Sequence, residues 1–397
     1  MTLEEGQSIT VRFDSVAPRG DAIASEGLPK PIYASGVIPG EEARVKIRKI
    51  RRNWIAVDVE EVTEPSPHRA TPPCPLFEGC SGCQFQHVQY EHQLDLKRRM
   101  VKEQLAKFGG FEDAPVQPVI GAESPWNYRN HARFTVKEGK LGFVRRFRRQ
   151  FFEVPECKIM EHRVNDVLAK VQGKLDTATQ CNIRVGAPED QVMIQPALDL
   201  AHLGLETGQK HITEQLHGKA FLVAASSFFQ VNRRQAERLI DVVRSQVSGD
   251  PETVVADAYA GVGTFAALLA DSVAKVVAIE ESAPAIEAAK KALADLDNVE
   301  LICARAEELL PTLEQRIDVV ILDPPRSGCL PAALEAVAKF KPRRVVYVSC
   351  DPSSLGRDLQ VLCGPDGAFD LVSVQPVDMF PQTHHVESVA TLDLRGQ

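Results

Sequence analysis

The stretch Val254-Val-Ala-Asp257-Ala-Tyr259-Ala-Gly261-Val-Gly263-Thr-Phe265 joins a short apolar run to a glycine-rich turn, and it decides the fold. A run of this kind is typical of a buried strand, and the turn after it opens a helix. Further apolar runs occupy residues 275–280, 299–302, 318–323 and 344–348, with helical stretches such as 283–296 and 330–338 between them. This alternation predicts an α/β domain over residues 228–397, with a Rossmann-like, doubly wound parallel sheet.

The glycine-rich turn predicts a ligand that carries a ribose. Glu280 ends the next apolar run about twenty residues on, the spacing at which a carboxylate accepts both ribose hydroxyls. A lone glycine loop also suits a dinucleotide. This loop lacks a third glycine, however, and Asp323-Pro-Pro-Arg326 follows a later strand, which together favour S-adenosylmethionine. The two prolines aim Asp323 at the mouth of the sheet, although it could instead cap a turn.

A cysteine and a glutamate stand at the ends of later apolar runs. Cys350 follows the run 345–348 and precedes Asp351-Pro352. Because the strand ends of open α/β sheets collect catalytic groups, we expect Cys350 to face one crevice with Asp323; the alternative is a small buried core residue. Glu387 lies in an alternating run that reads as the last strand, and the alternative there is an ordinary surface glutamate.

Two smaller units precede the sheet. Residues 1–62 hold short alternating strands broken by glycines, which predicts an OB-like β-barrel. A proline-rich linker follows. Residues 63–227 contain a helix near 90–110, which we expect to pack on the catalytic domain, and strand-like pieces such as 131–136 and 191–195. This segment is therefore predicted to be a central α+β domain.

The charge distribution suggests RNA as a partner. The chain of 397 residues is 44% hydrophobic with a formal net charge of −8, yet two segments are locally basic, 44–52 and 143–152. The second places Arg145, Arg146, Arg148 and Arg149 between aromatic residues. Such segments suit a phosphate backbone and stacking on unpaired bases, although each could be a solvated strand face. No secretory signal or long apolar run is present, so we expect a cytoplasmic protein without membrane association.

In a cytosolic chain, the nine cysteines are expected to be metal ligands, catalytic groups or buried residues, since disulfides are uncommon there. Cys74, Cys80 and Cys83 lie within ten residues, and Cys157 follows in Val154-Pro-Glu-Cys-Lys. Four thiolates fit either zinc or a 4Fe-4S cluster, and the spacing alone does not separate them. The remaining cysteines without a partner pattern are predicted to be buried: Cys181, Cys303, Cys329 and Cys363.

Four motifs together resemble the signature set of the RNA uridine 5-methyltransferases, the RumA/TrmA-like family. They are Phe228-Phe-Gln230-Val-Asn232, Asp323-Pro-Pro-Arg326, Ser349-Cys350-Asp351-Pro352 and His385-Val-Glu387. The resemblance covers essentially the whole chain and includes a TRAM-like barrel for RNA binding at the N-terminus. It implies a SAM-dependent RNA (uracil-5-)-methyltransferase.

The resemblance also implies a role for each matching residue. Cys350 matches the cysteine that attacks carbon 6 of uracil, after which carbon 5 takes the methyl group from S-adenosyl-L-methionine. Glu387 matches the base that removes the carbon 5 proton before elimination, and a thiol suits this reaction because it both adds and leaves. The positions that contact cofactor fall on Gln230, Tyr259, Gly261, Glu280 and Asp323, and the position that stacks near the target base falls on Phe228.

One residue departs from the family pattern. Asp351 follows the cysteine where family members often carry asparagine. A neighbouring carboxylate would raise the pKa of the thiol and slow its attack.

The resemblance further favours a 4Fe-4S cluster on Cys74, Cys80, Cys83 and Cys157, as in the RumA type, and hence 23S rRNA as the substrate of a monomeric enzyme. A tRNA uridine 5-methyltransferase is the alternative, since some relatives with a cluster modify tRNA. A radical methylthiotransferase would need a Cys-x3-Cys-x2-Cys triad, and a cytosine 5-methyltransferase a different acidic motif. A non-catalytic iron-sulfur RNA-binding protein is the alternative from another class.

Overall fold

The N-terminal unit is a single mixed sheet. In this computed structural model, the structure describes residues 3–145, 150–175, 178–188, 190–247 and 249–396. The first six strands are β1 (Ser8–Arg12), β2 (Ser15–Val16), β3 (Ala22–Ala24), β4 (Ile32–Ala34), β5 (Glu42–Ile50) and β6 (Ile55–Glu64). They pair in the order β1-β5-β6-β4-β3-β2, antiparallel except for the β4/β6 pair. Register shifts along β5/β6 add local twist to this pair of strands.

Strict alternation of side chains explains why this segment forms a sheet with one buried face. Along β5, Ala43, Val45 and Ile47 are buried, whereas Arg44 and Lys46 point outward. The buried face closes over Phe13, which is fully buried in the same apolar cluster. The basic residues of the predicted RNA-binding segment therefore lie on the solvent face of β5.

The central unit consists of a long helix and an antiparallel sheet. Its elements are α1 (Tyr90–Gly109), β7 (His131–Lys137), β8 (Lys140–Val144), β9 (Phe151–Glu153), α2 (His162–Val171), β10 (Gln180–Val185) and β11 (Val192–Gln195). The five strands pair in the order β11-β10-β7-β8-β9. Apolar residues of α2 cover one face of this sheet, where Phe134 and Ile183 are fully buried.

The predicted doubly wound sheet of the C-terminal unit is confirmed. It is preceded by a hairpin of β12 (His211–Leu216) and β13 (Lys219–Ala224). The elements that follow the hairpin are, in chain order, α3 (Arg233–Val247), β14 (Val254–Ala258), α4 (Thr264–Leu269), β15 (Lys275–Glu280), α5 (Ala283–Ala292), β16 (Val299–Cys303), α6 (Ala306–Leu309), β17 (Val319–Leu322), α7 (Pro331–Phe340), β18 (Arg344–Ser349), α8 (Pro352–Cys363), β19 (Phe369–Val377) and β20 (Glu387–Leu394). The seven-stranded sheet has the order β16-β15-β14-β17-β18-β20-β19.

Only β20 runs against its neighbours, so the carboxyl ends of the parallel strands open on the edge where β20 begins. Both faces of the sheet are buried: Val255 and Ile321 pack on one side, and Ala256 and Val320 on the other. This explains why the strands read as continuous apolar runs in the sequence. The edge where the parallel strands end is the expected place for a ligand in such a fold.

Two elements outside the predicted catalytic unit share its core. The hairpin β12/β13, which the predicted boundary at residue 227 leaves in the central unit, buries Phe221 and Val223 together with α3 and α4. Helix α1 buries Val101 and Leu105 against Leu355 of α8. None of the helices in the described part of the chain combines the length and apolar character needed to cross a membrane.

Candidate active site

The glycine-rich turn is held by the acidic residue at the end of β15. The Gly261 N–H donates to Glu280 Oε2 at 2.8 Å, and the Ser282 N–H donates to Glu280 Oε1 at 2.7 Å. Tyr259 adopts a left-handed backbone with φ of 69°, which is uncommon for a residue with a side chain. Such conformations concentrate at functional sites, because the surrounding structure must hold them in place. The turn is therefore built as a rigid cradle at the end of β14.

Two buried polar atoms, one in the strand that leads into this cradle and one in the segment before α3, have no hydrogen-bond partner among the described residues. Asp257 Oδ2 accepts a hydrogen bond from the Ala266 N–H at 3.1 Å, but its Oδ1 is buried without one. Gln230 Oε1 is in the same condition. Burial, with help from Asp323, raises the pKa of Asp257 to about 8. Because buried polar atoms are normally satisfied, each of these two atoms is available to a polar ligand.

Cys350 and Glu387 meet across two neighbouring strands. Ser349, the last residue of β18, pairs with Ser388 of β20. One further step along this antiparallel register puts Cys350 opposite Glu387, the first residue of β20. Directly opposed positions in an antiparallel pair carry side chains on the same face, about 5 Å apart at the Cβ atoms. The thiol and the carboxylate are therefore adjacent.

The electrostatics of this pair follow from burial and from three nearby charges. Burial raises the pKa of the Cys350 thiol to about 12, and Glu387 adds to the effect. Burial and Asp323 raise the pKa of Glu387 to about 8. Arg326 lowers the pKa of both groups. A carboxylate with a pKa near neutrality is an effective general base, so Glu387 is suited to proton transfer.

Asp323 lies at the end of β17, beside both the cradle and the cysteine. Its N–H donates to Ala258 O at 3.4 Å, which fixes it to the end of β14. Burial raises the pKa of its carboxyl to about 7. Asp323 raises the pKa of Asp257, Glu387 and Cys350, so it interacts electrostatically with both groups of residues.

Asp351 has a structural role that the sequence did not reveal. It is the N-cap of α8, and its Oδ1 accepts hydrogen bonds from the N–H groups of Ser353 at 2.9 Å and Ser354 at 3.2 Å. Of the four charges named as acting on Cys350, Asp351 contributes least to its pKa. The carboxylate is thus engaged by the start of a helix, whose positive end offsets its charge.

Sequence reasoning assigned no role to two residues beside the cysteine, Arg326 and His385. Arg326 Nη2 lies 3.3 Å from His385 Nδ1, and both residues line a small pocket with Cys350. Burial and Arg326 lower the pKa of His385 to about 4, so its imidazole is neutral. Both residues belong to motifs identified in the sequence, Asp-Pro-Pro-Arg and His-Val-Glu. Their closeness in sequence to Asp323 and Glu387 could have indicated a place in the site.

Phe228 and Gln230 occupy the segment before α3. Phe228 is 75% exposed, whereas the adjacent Phe229 is buried in the catalytic core. Asn232 Nδ2 donates to Met379 O at 3.1 Å, which ties this segment to the loop that leads into β20. Phe228 therefore presents a free aromatic ring from an anchored segment.

The four clustered cysteines are free, partly buried thiols that influence one another. Burial raises the pKa of Cys157 to about 11, with Cys80 and Cys74 contributing, and the pKa of Cys83 is raised by burial and by the other three. Within the described residues, no group of three or more His, Cys, Asp or Glu side chains is arranged to hold a metal ion. The four thiols nevertheless share one region.

Of the cysteines predicted to be buried, Cys303 is exposed, and that prediction is wrong. It ends β16, the outer strand of the sheet, which has a neighbour on one side only. The other three, Cys181, Cys329 and Cys363, are buried as predicted.

The structure shows acidic partners for one of the two basic segments, 44–52, and describes only part of the other, 143–152. In the first, Arg44 pairs with Glu60 and Glu61 of β6, and Lys49 pairs with Glu5. Its positive charge is therefore partly neutralised. In the second segment, Arg146, Arg148 and Arg149 fall in 146–149, outside the described residues.

The arrangement defines the class of protein: a doubly wound α/β fold with a thiol, a carboxylate and a polar cradle at one sheet edge. The family described as "tRNA (Uracil-5-)-methyltransferase" matches residues 205–395. An uncharacterized RNA methyltransferase of Gloeobacter violaceus is 32% identical over 98% of this chain and 97% of its own length. Another, of Thermosynechococcus vestitus, is 31% identical over 98% of each chain.

The crystal structure of Pyrococcus abyssi tRNA (uracil-54, C5)-methyltransferase in complex with S-adenosyl-L-homocysteine has a similar fold. The TM-score is 0.76 at 23% identity, over 97% of this chain and 100% of that one. The chain belongs to the RumA/TrmA-like family of RNA uridine 5-methyltransferases, as the motif resemblance predicted.

Proposed function

We propose that this enzyme transfers a methyl group from S-adenosylmethionine to carbon 5 of a uridine in RNA through a covalent cysteine-uracil adduct. The observation that carries the proposal is the β18/β20 register: its last pair is Ser349 with Ser388, Cys350 and Glu387 come next, and Glu387 raises the pKa of the thiol. The Cys350 thiolate adds to carbon 6 of the uracil, which makes carbon 5 nucleophilic. S-adenosylmethionine, when bound, would supply the methyl group and be left as S-adenosylhomocysteine. The Glu387 carboxylate then takes the carbon 5 proton, and the carbon–sulfur bond breaks to free Cys350.

The residues around the glycine-rich turn fit S-adenosylmethionine. The unpartnered Asp257 Oδ1 and Gln230 Oε1 are acceptors suited to a cationic ligand. Glu280 keeps further lone pairs for ribose hydroxyls, since each of its oxygens accepts only one of the hydrogen bonds described above. We assign cofactor contacts to Gln230, Tyr259, Gly261, Glu280 and Asp323, and stacking near the target base to the exposed ring of Phe228.

The four thiols fit a 4Fe-4S cluster by their donor chemistry. Cys74, Cys80, Cys83 and Cys157 bring four thiols to one region, and their mutual effect on pKa would be relieved when a metal centre takes up the thiolates. A cluster there would tie residues 74–83 to the central sheet, a structural role. The test is iron and sulfide analysis of anaerobically purified protein; zinc in place of iron would contradict the assignment.

For the substrate we favour 23S rRNA, with the N-terminal sheet acting as a TRAM-like RNA-binding unit. This choice rests on the combination of barrel and cysteine cluster in the RumA type. The Pyrococcus abyssi enzyme, named for a tRNA uridine, matches over its whole length. That match supports tRNA as the second candidate, because a tRNA-directed relative shares the complete architecture.

The experiment separates these candidates and tests the chemistry. Anaerobically purified protein is incubated with S-adenosylmethionine and unmodified 23S rRNA or tRNA, and the methyl groups are mapped by mass spectrometry. We expect 5-methyluridine in rRNA, none with Cys350→Ala, and an RNA–protein adduct that persists in denaturing gels with Glu387→Gln. No 5-methyluridine in either RNA would overturn the proposal, and Cys350→Ala protein that supports all cellular function would favour the non-catalytic alternative.

A further inference from the structure

We propose that Arg19, at the tip of the turn between β2 and β3, binds an RNA phosphate beside the target nucleotide. The N-terminal sheet then forms part of the active-site wall and takes part in placing the uridine. This inference rests on the proposed methylation of RNA.

The turn that carries Arg19 is tightly closed. The Gly20 N–H donates to Ala17 O at 2.8 Å, and the Ala17 N–H donates to Asp21 O at 2.7 Å. Proline at the second position and glycine at the fourth are the residues such a turn favours, and here Pro18 and Gly20 occupy them. Arg19 is therefore displayed from a rigid tip.

The turn is docked on the loop that precedes the catalytic glutamate. A Cβ added at Gly20, where φ is +80°, would lie 3.0 Å from His384 Cβ and 3.1 Å from Gln84 Cβ, so glycine favours this close approach. On the other side of the turn, Val16 is buried in a cluster with Met100 of α1. These contacts fix the turn against two elements of the active site.

The consequence is that Arg19 stands at the pocket of the nucleophile. Pro18, the residue before it, lines this pocket together with Cys350, Ser353 and Met100. Arg326 lines the same pocket from the catalytic unit. We therefore expect the backbone of a nucleotide whose base reaches Cys350 to come close to Arg19.

Arg19 is also available for a ligand. It is exposed, and within the described residues no ion pair or side-chain hydrogen bond involves it. Arg12 and Arg44 on the same sheet are engaged by Glu64 and by Glu60, respectively. A guanidinium matches the geometry of a phosphate with two parallel hydrogen bonds, which an ammonium does not.

The test compares Arg19→Ala with Lys339→Ala, which removes one positive charge from the exposed last turn of α7, at the edge of the sheet opposite the site. For Arg19→Ala we expect kcat/KM for RNA to fall about tenfold, the scale of a lost charged hydrogen bond. We also expect slower single-turnover adduct formation and a salt dependence of RNA binding shallower by about one phosphate contact. Arg19→Lys should recover only part of the rate, and the affinity for S-adenosylmethionine should be unchanged in every variant.

For Lys339→Ala we expect the rate of adduct formation to stay at the wild-type value. Equal effects of Arg19→Ala and Lys339→Ala on this rate would overturn the inference while leaving the proposed function intact. A wild-type protein that methylates no RNA in the same assay would overturn the proposed function itself. Gly20→Ala gives an independent reading, since displacing the turn from His384 should slow adduct formation as Arg19→Ala does; a wild-type rate would count against a role for the turn.

Discussion

Gln84 and His384 join the cysteine cluster to the active site: Gln84 Oε1 lies 2.9 Å from His384 Nδ1 and accepts the His384 N–H at 3.3 Å. Gln84 directly follows Cys83, and His384 stands three residues before Glu387. The Gln84 N–H also donates to Gln382 O at 3.0 Å. The segment bearing the cysteines therefore holds the loop that leads to Glu387.

Gln84→Ala should lower kcat for RNA methylation about fivefold, the scale of one lost neutral hydrogen bond, because the loop before Glu387 loses its clamp. Affinity for S-adenosylmethionine and bound iron should not change. Steady-state kinetics with metal analysis measure these quantities. The matched control is Gln89→Ala, whose amide donates to Pro67 O away from this loop. If Gln84→Ala turned over at the wild-type rate, the clamp would have no catalytic role.

The rate should rise with pH across the neutral range. The pKa values of Cys350 and Glu387 are both raised, to about 12 and about 8, and the reaction needs each group in its ionised form. Raising the pH increases both ionised populations, so the kcat/KM should increase between pH 6 and pH 9, a range set by the pKa of Glu387. A profile that falls over this range would contradict the assignment of Glu387 as the base.

Arg326→Gln should move that profile to higher pH. Arg326 lowers the pKa of Cys350 and Glu387, so its removal raises both and less of each group is ionised at pH 7. Arg326→Lys keeps the charge and should restore the position of the profile better than it restores the rate. An unchanged profile in Arg326→Gln would show that this cation does not tune the pair. The pH dependence of single-turnover methylation makes the measurement.

Substitutions of Asp351 separate its effect on the pKa of the Cys350 thiol from its structural role as a helix cap. Because the carboxylate caps α8, Asp351→Ala should destabilise the protein by about 1 kcal/mol, whereas Asp351→Asn keeps a capping oxygen and should stay close to wild type in stability. The pKa of the thiol should fall only slightly in Asp351→Asn, since Asp351 is the weakest of the charges named as acting on it. Thermal unfolding and thiol alkylation against pH measure the two effects. A large gain in methylation rate for Asp351→Asn would mean that the carboxylate impedes the thiol.

The sheet was predictable from the sequence because its strands are buried on both faces and read as uninterrupted apolar runs. The places of Cys350 and Asp323 were also accessible, since the ends of parallel strands share one edge. The position of β20 was not: periodicity marked Glu387 as part of a strand, but only the pairing in space inserts that strand between β18 and β19. The contact between Cys350 and Glu387 depends on this insertion.

Contacts between elements far apart in the chain were the features hardest to predict from the sequence. The sequence shows Arg44 and Lys49 as free cations, and their acidic partners appear only once β6 and the N-terminal segment fold beside β5. Likewise, nothing local links Gln84 to His384, which are 300 positions apart. Such pairs are set by tertiary packing and carry no periodic signal.

A buried ion pair, Lys97 with Asp378, provides the last prediction. Both side chains are fully buried, and Asp378 Oδ2 also accepts the Tyr90 hydroxyl at 2.8 Å. Lys97 Nζ donates in addition to Phe380 O at 3.1 Å, so the pair anchors α1 to the loop that leads toward Glu387. Lys97→Met leaves an unpaired buried carboxylate and should cost about 3–5 kcal/mol, seen as a clear loss of thermal stability.

The double variant Lys97→Met/Asp378→Leu removes both charges and should recover much of that loss, because the cost of a broken pair is mainly the charge left behind. Its methylation rate should nevertheless stay low, since the contact with Phe380 O is absent and the loop before β20 is less firmly held. Comparing thermal unfolding with kcat separates the two roles. A double variant as unstable as Lys97→Met would show that packing, and not charge, dominates here, and a wild-type kcat would show that the loop does not depend on this anchor.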